Sequence, residues 1–124
     1  MTTVGDVMSR NLLTIEQETT LVDAAAAMTQ RRVGAALIVS GGRLTGILTE
    51  RDVLRAVAQG EVEGTSVAAW MTRDPQTVAV GDAGREAAAT MIRGGFRHLP
   101  VLEGGRPVGI VSIRDLMRLV VDDG

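Results

Sequence analysis

The chain has 124 residues, 45% of them hydrophobic, with 13 basic and 15 acidic residues and a formal net charge of −2. This composition predicts a folded chain with enough apolar surface for a packed core, in one domain or two very small ones. Because there is no cysteine and His98 is the only histidine, disulfides, thiolate metal sites and histidine-pair metal sites are excluded.

All the basic residues are arginines, and they are spread along the chain without a cluster. Such a distribution gives no electrostatic footprint for a phosphate backbone, so we expect no nucleic-acid partner. Without lysine, neither a Walker-type phosphate loop nor Schiff-base chemistry can be built. The longest apolar stretches are much shorter than a membrane span, and the first residues lack the pattern of a signal peptide. We therefore expect a cytoplasmic protein with no membrane partner.

An internal repeat organises the chain: residues 4–57 align without a gap with residues 67–120, at an offset of 67 − 4 = 63. We predict repeat 1 over residues 1–60, a linker over residues 61–66 and repeat 2 over residues 67–124. A unit of about 60 residues buries too little surface to be comfortably stable alone, so the two repeats should pack on each other.

Each copy has the same predicted elements. In chain order they are a short helical turn (4–8 and 67–71), an extended piece (13–15 and 76–78), a helix, a strand (35–39 and 99–102), a second strand (44–48 and 107–111) and a terminal helix. The central helix is predicted to be capped by Thr20 in the first copy and by Asp82 in the second. It should end near Arg32 and at Gly94-Gly95 respectively.

The last strand of each copy runs into its helix through a glycine, two aliphatic residues, a hydroxyl and, three residues later, an aspartate. The hydroxyl and aspartate are Thr49 and Asp52 in the first copy, and Ser112 and Asp115 in the second. One interpretation is a helix cap. The other is that free N–H groups and the hydroxyl receive a phosphate while the carboxylate accepts hydrogen bonds from a ribose. Repetition in the same register favours the second interpretation.

This repeated unit, with a His-Leu-Pro-Val strand at residues 98–101 of the second copy, closely resembles the cystathionine-β-synthase (CBS) domain, and two in tandem resemble a Bateman module. The resemblance covers essentially the whole chain. It implies an α/β fold of two tandem β-α-β-β-α CBS repeats, packed sheet to sheet as one pseudo-symmetric module with two related clefts. It also implies that the clefts bind AMP, ADP, ATP or S-adenosylmethionine, and that the module regulates an enzyme, channel or transporter.

The resemblance carries ligand contacts onto three stretches of each repeat. In the last stretch, the aspartate matches a ribose-binding carboxylate and the hydroxyl matches one that lies near ribose or phosphate. The first stretch, 14–15 or 77–78, contacts the base through its backbone. The entrance to the second strand, 33–35 or 96–100, lines the base pocket and contacts phosphates. The predicted residues of repeat 1 are Thr14, Ile15, Val33, Gly34, Ala35, Thr49, Arg51 and Asp52. Those of repeat 2 are Thr77, Val78, Phe96, Arg97, His98, Leu99, Pro100, Ser112, Arg114 and Asp115.

The two copies differ at the strand entrance, where the second has Arg97 and His98 and the first has Gly34 and Ala35. We therefore expect the two clefts to differ in their affinity for phosphate. Alternatives stay open for single residues: Arg51 and the equivalent arginine of repeat 2 could be solvated surface residues, and His98 could be structural.

No pairing of a base with a nucleophile can be assembled, so we expect no catalytic residues, no metal and no cofactor besides a regulatory adenosine ligand. The partners we expect are that ligand, a second copy of the chain and a separate effector protein. The rival interpretation is a structural or dimerisation module with empty clefts. The sequence leaves open the ligand, the number of occupied clefts, the orientation of the dimer and the regulated protein. We expect relative motion of the repeats to be absorbed at residues 59–66.

Overall fold

The computed structural model describes residues 2–123, and the side chains of residues 2–118. In chain order its elements are α1 (Val4–Val7), β1 (Thr14–Glu16), α2 (Leu21–Arg31), β2 (Ala35–Ser40), β3 (Arg43–Thr49), α3 (Glu50–Ala58), a 3₁₀ turn (Val67–Ala69), β4 (Thr72–Arg73), β5 (Val78–Ala79), α4 (Gly84–Gly94), β6 (His98–Glu103), β7 (Arg106–Ser112) and α5 (Ile113–Asp123). The predicted α/β fold class, with a β-α-β-β-α unit in each repeat, is confirmed.

The chain folds into two compact units whose bounds differ from those of the two sequence repeats. The central unit is Leu13–Pro75, and the terminal unit is Met1–Leu12 together with Gln76–Gly124. The predicted linker, residues 61–66, lies inside the central unit. Its end is hydrogen-bonded there, because the Leu21 N–H donates to the Thr65 carbonyl at 2.7 Å. Residues 1–12 of repeat 1 thus pack in the unit that contains the sheet of repeat 2. Residues 67–75 of repeat 2 pack in the unit that contains the sheet of repeat 1.

In the central unit, β1 pairs in parallel with β2, which pairs antiparallel with β3, and β4 completes the sheet at the far side of β3. Leu21, Ala24 and Met28 are buried along one face of α2, at the spacing of one helical stripe. They pack in one cluster with apolar side chains of the sheet, among them Ile15 and Ile38.

The terminal unit repeats this arrangement with β5, β6 and β7 and adds α1 from the start of the chain. Val4 of α1 is fully buried in its core, and its N–H donates to the Asp82 carbonyl at 2.8 Å. Glycine is required where the first segments meet the sheets. A β-carbon at Gly46 would lie 2.8 Å from the backbone carbonyl oxygen of Thr72, and one at Gly109 would lie 2.8 Å from that of Ser9.

Most helix boundaries agree with the sequence predictions. Thr20 caps α2 by accepting the Asp23 N–H at 3.1 Å, and Arg32 follows the helix as its C-cap in the left-handed conformation. The prediction for Asp82 is wrong. The residue that precedes α4 is Ala83, which has no side-chain acceptor, while the Asp82 carboxylate accepts the Ala79 N–H at 2.8 Å.

Three short elements also differ from prediction. The extended piece predicted at 76–78 is β5 at Val78–Ala79, so Thr77 lies just before the strand. The helical turn predicted at 67–71 is a 3₁₀ turn over Val67–Ala69. The two-residue β4 was not predicted at all. Elements this short have no apolar periodicity that would reveal them in the sequence. Their bounds depend instead on the neighbouring segments to which they are hydrogen-bonded.

Candidate functional site

The first predicted site lies where β3 becomes α3. The Thr49 N–H donates to Asp52 Oδ2 at 2.9 Å, and the Asp52 N–H donates in return to Thr49 Oγ1 at 3.3 Å. The Thr49 hydroxyl also lies 3.1 Å from Asp52 Oδ2, to which it donates. This reciprocal arrangement is a capping box, in which each side chain satisfies a backbone donor that the helix leaves without a partner.

The equivalent turn in the terminal unit has the same geometry. The Ser112 N–H donates to Asp115 Oδ2 at 2.9 Å, and the Asp115 N–H donates to Ser112 Oγ at 3.0 Å. Both aspartates therefore cap their helices, as the first interpretation of the sequence predicts. A carboxylate has two oxygens and about four acceptor positions, so capping leaves room for a further donor.

The strand entrance is connected directly to each helix. The Glu50 N–H donates to the Gly34 carbonyl at 3.0 Å, and the Ile113 N–H donates to the Arg97 carbonyl at 2.9 Å. Of the four N–H groups that a helix start leaves without an intrahelical partner, three are thus paired in each turn. The fourth belongs to Arg51 or Arg114. An anion at this turn would find one backbone donor, so side chains would have to supply the rest.

Strand order brings the predicted stretches of each unit to one end of its sheet. Because β1 is parallel to β2 and β3 is antiparallel to it, the starts of β1 and β2 and the end of β3 meet there. Ala35 is the direct partner of Thr49, and Thr14 pairs two residues further along β2, with Leu37. In the terminal unit His98 is the partner of Ser112.

Burial separates the predicted residues into two groups. The arginines Arg51, Arg97 and Arg114 are exposed, as are Thr14 and Thr77. A second group is enclosed in the cores or half-buried at the strand entrance. Its buried members are Ile15, Ala35, Val78, Leu99 and Pro100, and its half-buried members are Val33, Gly34, Phe96 and His98. Ile15, Val78 and Leu99 belong to the core clusters, so only their backbone could meet a ligand.

Comparison with known proteins decides the family. The CBS domain family model matches residues 4–59 and 67–122, which is most of the chain. The chain belongs to the CBS domain family. It is 34% identical over 121 residues to protein MJ1225 of Methanocaldococcus jannaschii, a match that covers 97% of this chain and 43% of that protein. The chain thus spans less than half the length of this relative.

Solved structures of CBS pairs have the same fold. A protein with CBS domains from Burkholderia ambifaria is 35% identical, with a TM-score of 0.90 over 98% of this chain and 96% of that chain. The CBS domain pair of protein MJ0100 is 27% identical, with a TM-score of 0.91 over 100% of this chain and 99% of that one. The MJ0100 crystals contain 5′-methylthioadenosine and S-adenosyl-L-methionine.

Two residues of this CBS pair that the sequence did not assign to the site are Arg55, which lies beside Asp52, and Trp70, which lies beside Arg55. Arg55 Nη1 is 3.5 Å from Asp52 Oδ1, and the Arg55 guanidinium carbon is 5.8 Å from the centroid of the Trp70 ring. The three-residue spacing of Asp52 and Arg55 on a helix was a signal for the ion pair. Trp70 could not be placed, because its segment comes from the start of repeat 2.

Within the part of the CBS pair that the structure describes, no group of three His, Asp or Glu side chains could hold a metal ion. No helix among these residues combines the length and apolar character that crossing a membrane requires.

Proposed function

We propose that this CBS pair is a non-catalytic regulatory module that binds an adenosine ligand and modulates a separate partner protein. The observation that carries the proposal is the pair of matching hydroxyl–aspartate turns, each beside the strand entrance of its own unit. Support comes from MJ0100, an almost fully aligned relative that was crystallised with 5′-methylthioadenosine and S-adenosyl-L-methionine. These two compounds share an adenosine with a free ribose diol.

Asp115 is the residue we propose for the ribose. Its Oδ2 accepts the Ser112 N–H, and the carboxylate is only half-buried, so the other oxygen has room to accept from ribose hydroxyls. Hydrogen bonds to a charged acceptor are stronger than those between neutral groups, so this carboxylate would contribute strongly to binding of the ribose. The Ser112 hydroxyl accepts the Asp115 N–H and can donate its own hydrogen to a ligand oxygen.

For a phosphorylated ligand we propose that repeat 2 is the tighter site. The half-buried His98 begins β6 and the exposed Arg97 directly precedes it, while the exposed Arg114 lies on α5; these elements meet at the Ser112 turn. At the equivalent entrance the first repeat has Gly34 and Ala35, which supply no charge. The backbone of Thr14-Ile15 and of Thr77-Val78 is our proposal for the edge of the base.

Isothermal titration calorimetry with S-adenosyl-L-methionine, 5′-methylthioadenosine, AMP, ADP and ATP tests this function, with GMP as the matched control for the base. We expect saturable heat with at least one adenosine compound, a stronger response than GMP gives, and recovery of the ligand chemically unchanged. Absence of heat from every adenosine compound would contradict the proposal. Mass spectrometry of small molecules that co-purify with the protein would identify the ligand independently.

A structural module with an empty first cleft is the second candidate, and the burial of Asp52 favours it. Asp52 is only 5% exposed, and both its carboxylate oxygens already have partners within the chain. In either case we propose a homodimer, since Leu54 and Val57 expose 68% and 55% of their surface three residues apart on α3, where they form neighbouring apolar side chains. Sedimentation velocity at increasing protein concentration tests this, and a monomer at every concentration would contradict it.

A further inference from the structure

In the first repeat, an arginine of the same helix pairs with Asp52, the carboxylate that the CBS resemblance matches to a ribose contact. Asp52 Oδ2 is engaged in the capping box, and Asp52 Oδ1 faces Arg55 Nη1 at 3.5 Å. The Asp52 side chain is 7% exposed, whereas that of Arg55 is 60% exposed. Arg55 therefore lies on the open side of an otherwise enclosed carboxylate.

A second contact keeps Arg55 in this position. Its guanidinium carbon lies 5.8 Å from the centroid of the Trp70 ring, within the range of a cation–π interaction. Trp70 follows the 3₁₀ turn that packs in the central unit, and it contacts the core cluster of that unit. Tertiary packing thus places the Trp70 ring, and Arg55 contacts both this ring and the Asp52 carboxylate.

Among the side chains that the structure describes, the second repeat has no such arrangement. At the offset of 63 the counterparts of Arg55 and Trp70 are Arg118 and Val7. Val7 packs against the core of the terminal unit but has no aromatic ring, and Arg118 is exposed. Among the described residues, Asp115 makes no ion pair like that of Asp52.

We propose that Arg55 is a positioning residue that closes the Asp52 carboxylate, so that an adenosine ligand binds first in repeat 2 and binds in repeat 1 only when Arg55 leaves Asp52 and Trp70. This inference rests on the proposed function and adds an order of binding to it. A partly exposed ion pair weakens a competing interaction only modestly, by roughly two- to fivefold in the dissociation constant. The contact of Arg55 with Asp52 thus raises the dissociation constant of the first repeat without preventing binding at a higher ligand concentration.

Trp70 is the only tryptophan of the chain, so its fluorescence reports the position of Arg55. In the ligand-free protein we expect Arg55→Gln and Asp52→Asn to change the emission of Trp70, and Arg118→Gln to leave it unchanged. During a titration of the wild type with S-adenosyl-L-methionine or AMP, the emission should change in the weaker of two binding phases. Arg55→Gln should abolish that change.

Calorimetry then measures the closure itself in an Asp115→Ala background, which isolates the first repeat. We expect Arg55→Gln to tighten binding there by two- to fivefold, Arg55→Lys to restore affinity towards the wild-type value, and Arg118→Gln to have no effect. Binding that Arg55→Gln leaves unchanged or weakens would overturn the closure while the function stands. Heat from the Asp115→Ala/Arg55→Gln protein alone would support the closure. No heat from either Asp115→Ala protein would overturn the closure while wild-type binding upholds the function, and no heat from the wild type itself would overturn both proposals.

Discussion

Replacing Asp115 with alanine separates ligand binding from helix capping in the second repeat. The substitution removes the acceptor that lies 2.9 Å from the Ser112 N–H, in a half-buried turn that water can reach. Loss of such a cap costs about 1 kcal/mol of unfolding free energy. Loss of a charge-assisted hydrogen bond to a ribose costs about 1.5–3 kcal/mol, which weakens binding by roughly 10- to 150-fold. We therefore expect a small loss of stability and a large loss of affinity.

Asp82→Ala is the matched control for this prediction. Asp82 is also half-buried in the terminal unit and accepts one backbone N–H, that of Ala79 at 2.8 Å. Both variants should lose a similar unfolding free energy in urea titrations, but only Asp115→Ala should lose affinity in calorimetry with S-adenosyl-L-methionine or AMP. If both variants bind with wild-type affinity, Asp115 is a helix cap only and has no ribose contact.

Three further predictions concern the fold that presents the site. Gly46→Ala should lower the free energy of unfolding in urea by about 1–3 kcal/mol, because the added β-carbon would lie 2.8 Å from a backbone carbonyl of β4. As its control, Gly81→Ala should leave that free energy unchanged, because the added β-carbon would meet no neighbour within 4 Å. Val4→Ala should cost about 2 kcal/mol, because Val4 is fully buried, and Val22→Ala, which is 50% exposed, should change stability by less than about 0.5 kcal/mol. The Thr3 N–H donates to the Asp6 carboxylate and lowers the pKa of Asp6, so the stability that this carboxylate adds should be present above about pH 4 and be lost as the pH falls through the folded pKa. Asp6→Asn should remove this pH dependence from unfolding curves measured between about pH 7 and about pH 2.

The repeat, the fold class and the capped turns could be derived from the sequence because they depend on local chemistry. A hydroxyl and an aspartate three residues apart satisfy each other wherever a helix starts, and Thr49 with Asp52 and Ser112 with Asp115 do so with nearly the same distances. Continuous apolar runs on either side of a Gly-Gly pair likewise placed the longer strands, and apolar residues at helical spacing placed the helices. The prediction failed at Asp82, where the residue that actually precedes α4 is an alanine.

Tertiary structure decided which segments complete each unit and which groups surround each carboxylate. The first segments of the two repeats have similar sequences, so local preference gives no reason for residues 1–12 to pack in the unit that contains repeat 2. The same exchange brings Trp70 to Arg55, and through Arg55 to Asp52, whereas Val7 takes the equivalent place in the terminal unit. The two turns are chemically alike in sequence, and each aspartate has an arginine three residues further on. Their carboxylates nevertheless differ in burial and in charge partners, and only Arg55 has beside it a ring from a distant segment, Trp70.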